Sequence, residues 1–305
     1  MTMHIAFVID LPLMEGLGAT LTSLVRNCSD TSQLDLHFIC NNLGTRHKNN
    51  ILMLLQTESY HGRTRFYDFD AQEMFGHLSA AHGFRTSYGR FLLPKLLDVE
   101  YVLCLDPDLL ILLDVITFDQ IRFEDHFLAA VPGGPFRNTL ESKLLPGQLC
   151  VCKDERSFIS GMLLLNLRKW KEQDICHEIE KICLRHGMSL HEADNTVLNT
   201  ICNGNFHHID DRFNCIWTPG QATPSFKENA ILHFAGAPKP WDFLGREVHA
   251  GYQRWADYDT TFWDRRYKRV AFAGLQRIWK IRKSLIRHWL KSFRATDSLK
   301  LGIKN

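Results

Sequence analysis

The sequence predicts an α/β fold: a mainly parallel sheet flanked by helices, closed by a basic amphipathic helical tail. Two observations predict the body. Short apolar runs alternate with helical stretches along the first 240 residues, the pattern of a doubly covered parallel sheet. The run at 101–105, YVLCL, is apolar without alternation, as expected of a strand buried on both faces. The tail is predicted by charge: residues 265–294 hold eleven Lys or Arg and no Asp or Glu, while the whole chain carries only +2. The remainder is therefore acidic.

Taken in order, residues 4–9 form a first strand ending at Asp10, and 16–25 a helix. A second strand spans 36–39, a helix 49–56 and a third strand 65–69. Residues 86–97 read as helix, weakened near its end by Pro94. Further strands are expected at 127–131, 162–166 and 231–234, with helices at 167–184 and 193–202. In such sheets ligands gather at the carboxyl ends of the strands, and Asp10, Asp106 and His233 each follow a predicted strand.

The bulk composition suits a packed globular chain of 305 residues, 45% hydrophobic and 23% charged. Nine cysteines are irregularly spaced, and Cys150 and Cys152 give only a C-x-C pair. They read as reduced, mostly buried thiols. The opening MTMHIAFVIDLPL lacks a basic leader and reads as a strand, not a signal peptide. The apolar uncharged stretch at 157–167 falls short of the ~20 apolar residues a bilayer span requires.

Two segments carry the chemistry. In YVLCLDPDLLILLDV, Asp106 and Asp108 stand two apart around Pro107. In an extended segment their side chains share a side, and their mutual repulsion calls for a divalent cation such as Mg²⁺ or Mn²⁺ that also bridges phosphate oxygens. In LHFAGAPKPW, His233 follows an apolar run and precedes Gly236 and Lys239. An imidazole with two carboxylates is a reasonable Mn²⁺ set, and lysine is a compact charge for phosphate. Together they point to an enzyme acting on a nucleotide diphosphate, a nucleotide sugar foremost. A D-x-D phosphatase or phosphotransferase of the haloacid dehalogenase type fits less well: Leu110 stands where that motif has threonine or valine, and the motif lies a third of the way along the chain. A non-catalytic nucleotide-sugar-binding protein of the same fold is the remaining alternative.

The run YVLCLDPDLLI resembles the metal motif of glycosyltransferase family 8, and HFAGAPKPW its H-x-x-G-x-x-K-P-W motif. SGMLLLNLRKW at 160–170 is similar to its strand-to-helix segment, SYGRFLLPKLL at 87–97 to its arginine-bearing helix, and DNTVLN at 194–199 to its D-Q-x-x-L-N segment. The resemblance covers about residues 4–242 in matching order. It implies a GT-A fold, a UDP-sugar donor, Mn²⁺ or Mg²⁺, and retention of anomeric configuration. It implies that Asp106, Asp108 and His233 hold the metal, and that Gly236 and Lys239 contact the diphosphate. Arg90 would reach the donor, Asp10 would lie near the uracil or ribose, and Asp194 would bind the sugar hydroxyls. Asn195 would stand beside the anomeric carbon, where many relatives have glutamine; Asp194 and Asn195 are thus the expected catalytic pair. Three positions depart from the pattern: Ile159-Ser160-Gly161 replaces Asn-Ala-Gly, Pro132 stands where many relatives have Asp, and Leu11-Pro12 replaces polar residues.

The family-like body is expected to span residues 1–262, and the tail 263–305. On a helical wheel Leu275, Ile278, Trp279, Leu285, Ile286, Trp289, Leu290 and Phe293 form one face opposite Arg277, Lys280, Lys283, Arg287, Lys291 and Arg294. Tryptophan with uniform positive charge suits an anionic membrane surface. The expectation is a cytoplasmic enzyme, peripheral on the inner face of the cell membrane, acting on a glycan or lipid-linked glycan such as lipopolysaccharide. Nucleic acid is not expected, because the body is acidic and shows no recognised binding motif.

Overall fold

The computed structural model describes residues 2–80, 85–123, 125–139, 142, 149, 151–226, 228–268 and 272–300, with side chains of the last helix described over 276–290. The fold is the mixed α/β arrangement expected. Its strands are β1 (Met3–Ile9), β2 (Leu34–Asn41), β3 (Arg63–Phe69), β4 (Tyr101–Leu105), β5 (Leu109–Ile111), β6 (Leu128–Ala130), β7 (Pro132–Pro135), β8 (Arg156–Phe158), β9 (Met162–Asn166), β10 (His207–His208), β11 (Cys215–Ile216) and β12 (Ile231–His233). Seven form the central sheet in the order β10-β6-β9-β4-β1-β2-β3. The β4-β1-β2-β3 half is parallel throughout, while β9 runs antiparallel to both β4 and β6. One face packs the helices Met14–Arg26 and Thr45–Thr57 around Phe7, Leu36 and Phe38; the other packs Val8, Leu163 and Leu165 against Tyr88, Trp170 and Val197. Both faces are covered, which is why the strands read as unbroken apolar runs.

Several local expectations change. The 86–97 segment is a 3₁₀ turn at Thr86–Leu92 followed by a short helix at Leu93–Leu96, because Pro94 sits in the first turn of a new helix. The 167–184 helix is two, Leu167–Glu172 and Ile175–His186, separated where Asp174 adopts φ 49°. The strand carrying His233 leaves the main sheet. It pairs antiparallel with β5, and β11 completes a small three-stranded sheet. The two aspartates expected in an extended segment flank a turn between β4 and β5.

The helix Met14–Arg26 clamps that turn from behind. Thr20 Oγ1 donates to the Leu109 carbonyl at 2.8 Å, and Ser23 Oγ accepts from the Ile111 amide at 3.0 Å. Two helical hydroxyls thereby satisfy an edge that would otherwise be orphaned. The packed body also continues past residue 262. Trp263 and Tyr267 are buried in the larger core, and Trp263 Nε1 donates to the Met14 carbonyl at 2.6 Å.

The last helix, Phe272–Lys300, does not present the single apolar face drawn on the wheel. Ile281 and Leu285 pack on Val248, Ser284 donates to the Ala237 carbonyl, and Arg277 makes two 2.8 Å bonds to Asp242. Trp279, Ile286 and Leu290 are turned outward at 68, 57 and 49% exposure. Leu275, Lys291, Phe293 and Arg294 lie outside the described side chains. Among the described residues no helix is long and apolar enough to cross a membrane.

Replacing Trp263 by alanine leaves a cavity in this core, and the unfolding free energy falls by about 3–5 kcal/mol in urea denaturation. The same region predicts a pH dependence. Burial, with help from Asp264 and against Lys268, pushes the Asp259 carboxyl up to about 7, whereas an unfolded aspartate titrates near ~3.9. The folded state therefore holds a proton that the unfolded state releases, and this contribution is full below about pH 4 and lost as pH rises through about 7. Asp259→Asn should flatten the decline in urea midpoint between about pH 4 and 7.

Candidate active site

The carboxyl end of β4 delivers Asp106, and the amide of Asp106 donates to the Gly161 carbonyl at 2.8 Å. Two residues later the Asp108 carbonyl accepts from the Phe234 amide at 3.0 Å, so the β5–β12 pairing sets Asp108 against His233. One ligand atom from each of Asp106, Asp108 and His233 lies within 4.8 Å of the others. His233 Nε2 is 3.4 Å from Asp108 Oδ1, and its Nδ1 is held by Asn214 Oδ1 at 3.0 Å. Asn214 in turn donates to the Ile159 carbonyl at 3.1 Å. Fixing the distal nitrogen this way orients an imidazole for a metal. Gly161 makes room for it: a Cβ there would collide with the His233 ring.

The electrostatics divide the two carboxylates. Burial pushes Asp106 up to about 7; Arg90 opposes this, while Asp108 and Asp194 add to it. Burial also works against the Asp108 charge, but Lys239 and then His233 overcome it and hold that carboxyl below its ordinary value. Lys239 Nζ sits 2.6 Å from Asp108 Oδ2 and also donates to the Phe234 carbonyl. Burial lowers His233 despite Asp108, favouring the neutral imidazole a metal requires. Asp108 Oδ1 is buried without a hydrogen bond among the described residues. An anionic oxygen so placed, beside a neutral imidazole and a second carboxylate, fits a divalent cation.

Arg90 is buried at 2% exposure. It reaches Asp106 Oδ1 at 2.8 Å, the Ser160 carbonyl at 2.7 Å and Asp194 Oδ2 at 3.1 Å. Expected to reach the donor, it holds two carboxylates in place here. Asp194 also accepts from Ser160 Oγ at 3.1 Å, and Asn195 Oδ1 accepts from the Ser160 amide at 3.0 Å. Asp10, at the end of β1, accepts from the Thr86 hydroxyl, at the start of the turn that carries Arg90. Gly236 adopts φ +74° with no close neighbour to a Cβ; the backbone conformation, not crowding, calls for glycine there. Asn214, Ser160 and Gly161 were not among the expected site residues. Asn214 carries no motif, and only the departure from Asn-Ala-Gly hinted at Ser160. Ile159 and Pro132, two of the altered positions, line one cavity of about 310 Å³ together with Asn214, Ile216 and Phe226.

The family model for glycosyl transferase family 8 matches residues 4–245. The chain belongs to that family. It is a glycosyltransferase. General stress protein A of Bacillus subtilis is 23% identical over 261 residues, 79% of this chain and 87% of that protein. Glycosyltransferase GlyF of Streptococcus pneumoniae is 24% identical over 164 residues, and the match spans 52% of this chain but only 38% of GlyF. Among solved structures, galactosyltransferase LgtC in complex with donor and acceptor sugar analogs superposes with a TM-score of 0.68 at 20% identity, covering 84% of this chain and 95% of that one. The fold is the GT-A fold of these neighbours.

Gly161→Ala should displace the His233 ring and weaken divalent-metal binding by about 10–100-fold, the range for disturbed ligand orientation. Calorimetric metal titration alongside an unchanged far-ultraviolet dichroism spectrum checks it; unaltered affinity would remove His233 from the ligand set.

Proposed function

We propose that this chain is a retaining, metal-dependent transferase that moves a hexose from a UDP-sugar to a glycan or glycolipid acceptor. The observation that carries the reading is the shared carboxylate: Asp108 faces His233 through one oxygen and Lys239 through the other. A metal-ligand set and a phosphate-sized cation thus meet at one side chain. LgtC, a structural neighbour, was solved with donor and acceptor sugar analogs, and a corresponding donor and acceptor are proposed here.

Asp106, Asp108 and His233 would hold Mn²⁺ or Mg²⁺, which when bound neutralises charge developing on a diphosphate. Lys239 can exchange Asp108 for a phosphate oxygen, because its ammonium sits on a flexible stem. Gly236, with no side chain, lets the backbone of the same loop approach the diphosphate. Arg90 acts through Asp106 and Asp194 and holds both in place. Asp10, at the same edge, would face the nucleoside. No free nucleophile is offered by the expected catalytic pair. Asp194 is ion-paired with Arg90, and the Asn195 amide is engaged by the Ser160 amide and Glu192. Same-face attack by the acceptor, with a leaving diphosphate oxygen taking its proton, agrees better with this arrangement than a covalent intermediate. The cavity lined by Ile159 and Pro132 offers apolar walls to the sugar, so we propose that hexose choice here departs from a hydroxyl-matched galactose pocket.

The outward Trp279, Ile286 and Leu290, interleaved with Lys280, Arg282, Lys283 and Arg287, suit an anionic lipid surface. A lipid-anchored acceptor, as in lipopolysaccharide assembly on the cytoplasmic side of the membrane, is consistent with that surface.

Asp108→Asn should lower UDP release from a UDP-sugar panel by about 10²-fold or more while the protein stays folded, since electrostatic stabilisation of this kind is worth a few kcal/mol. Near-normal turnover of the folded variant in EDTA would sink the assignment. For the tail, co-sedimentation should detect binding to anionic vesicles at low salt, its loss at high salt, and weaker binding for Trp279→Ala. Equal binding to neutral vesicles would leave the last helix with only its packing role.

A further inference from the structure

The opposite end of the sheet carries a second cluster that glycosyl transfer does not use. His4 on β1 stands in register with Asp35 on β2, and His37 lies two residues beyond Asp35. All three side chains therefore share one face. They lie far from the first set: Asp10 follows His4 by six residue steps along β1, about 20 Å of strand.

The distances suit a cation. His4 Nδ1 and His37 Nε2 are 3.2 Å apart; Asp35 Oδ2 is 3.9 Å from the first and Asp35 Oδ1 3.8 Å from the second. A tetrahedral zinc with bonds of about 2.0–2.1 Å sets its ligand atoms roughly 3.4 Å apart. Small rotations bring the carboxylate to that spacing. His37 Nδ1 is held by the Tyr67 hydroxyl at 3.2 Å, and in the tautomer that donates there the lone pair of Nε2 points into the cluster.

The second observation is a missing partner. The Asp35 side chain is 2% exposed, and Arg65 pairs with Oδ2 at 3.2 Å. Oδ1 is buried with no hydrogen bond among the described residues, and a buried anionic oxygen left so is costly. A hydrogen-bonded histidine pair alone does not relieve it; a cation between the three groups does. We propose that His4, Asp35 and His37 form a second divalent-cation site of zinc chemistry, tying the amino-terminal ends of β1 and β2. Two imidazoles and one carboxylate are a borderline-soft set that favours zinc over magnesium or calcium. The fourth position would fall to water on the partly exposed His4 side.

The test uses the full chain carrying Asp108→Asn, stripped with chelator and titrated calorimetrically with Zn²⁺ alone. One equivalent should bind. Adding His4→Gln should weaken it by about 10²-fold or more, with the dichroism spectrum unchanged. X-ray absorption of the Zn²⁺-loaded protein should show imidazole and oxygen ligands without sulfur. Arg65→Met, which removes a competing positive charge from Asp35, should tighten binding several-fold. Should His4→Gln fail to fold, the absorption spectrum and the arginine variant still decide. No bound equivalent, an equivalent indifferent to His4→Gln, sulfur ligation, or unchanged affinity in Arg65→Met would each overturn the site. In the otherwise unaltered chain, His4→Gln should leave Mn²⁺-dependent turnover intact, which separates this site from the transfer reaction.

Discussion

A guanidinium with almost no access to water must find its charge balance inside the protein, and Arg90 finds it in three separate parts of the chain. Asp106 comes from the end of β4, Asp194 from the helix Ala193–Cys202, and the Ser160 carbonyl from the link between β8 and β9. Desolvating a cation costs several kcal/mol, and removing one partner of a buried pair leaves the other uncompensated. The three segments are thus held to each other by a penalty for separating them. The neighbouring segments inherit that constraint: Ser160 positions Asn195 through its amide, and Asp106 draws in Gly161.

The same site keeps its two aspartates unlike. Asp106 is shifted toward neutrality, whereas Lys239 keeps Asp108 charged. Lys239 belongs to the loop that holds the last helix. Asp242 accepts from the Lys239 amide at 2.7 Å and from Arg277 at 2.8 Å. A surface facing away from the body is therefore only a few bonds from the side chain that pairs with Asp108.

Residues 4–9, 101–105 and 162–166 were legible as strands because burial on both faces demands unbroken apolar runs, and that signal is local. The aspartates and His233 were legible because their motifs are contiguous. Order along the chain does not encode sheet membership, so β12 was expected in the main sheet and found in the small one. β5, three residues long, was hidden inside the apolar flank of its own motif. The commitment of Arg90 to Asp194 was illegible, since each motif names a residue and neither names the other. Asn214 and Gly161 serve His233 from outside its motif, by contact alone.

The short antiparallel ladder of β5 and β12 pairs Leu109 with His233, Leu110 with Leu232 and Ile111 with Ile231. Slipping it by one residue would turn the imidazole to the opposite face. The spacing between aspartate and histidine is thus measured by this ladder and not by the long stretch of chain between its strands. Loop-closure entropy grows only slowly with length, so insertions in the loops of the connecting segment leave the ruler untouched, while a single deletion inside either three-residue strand miscounts it. Length variation among descendants of this sequence should accordingly collect in the loops between the two strands and spare the strands themselves.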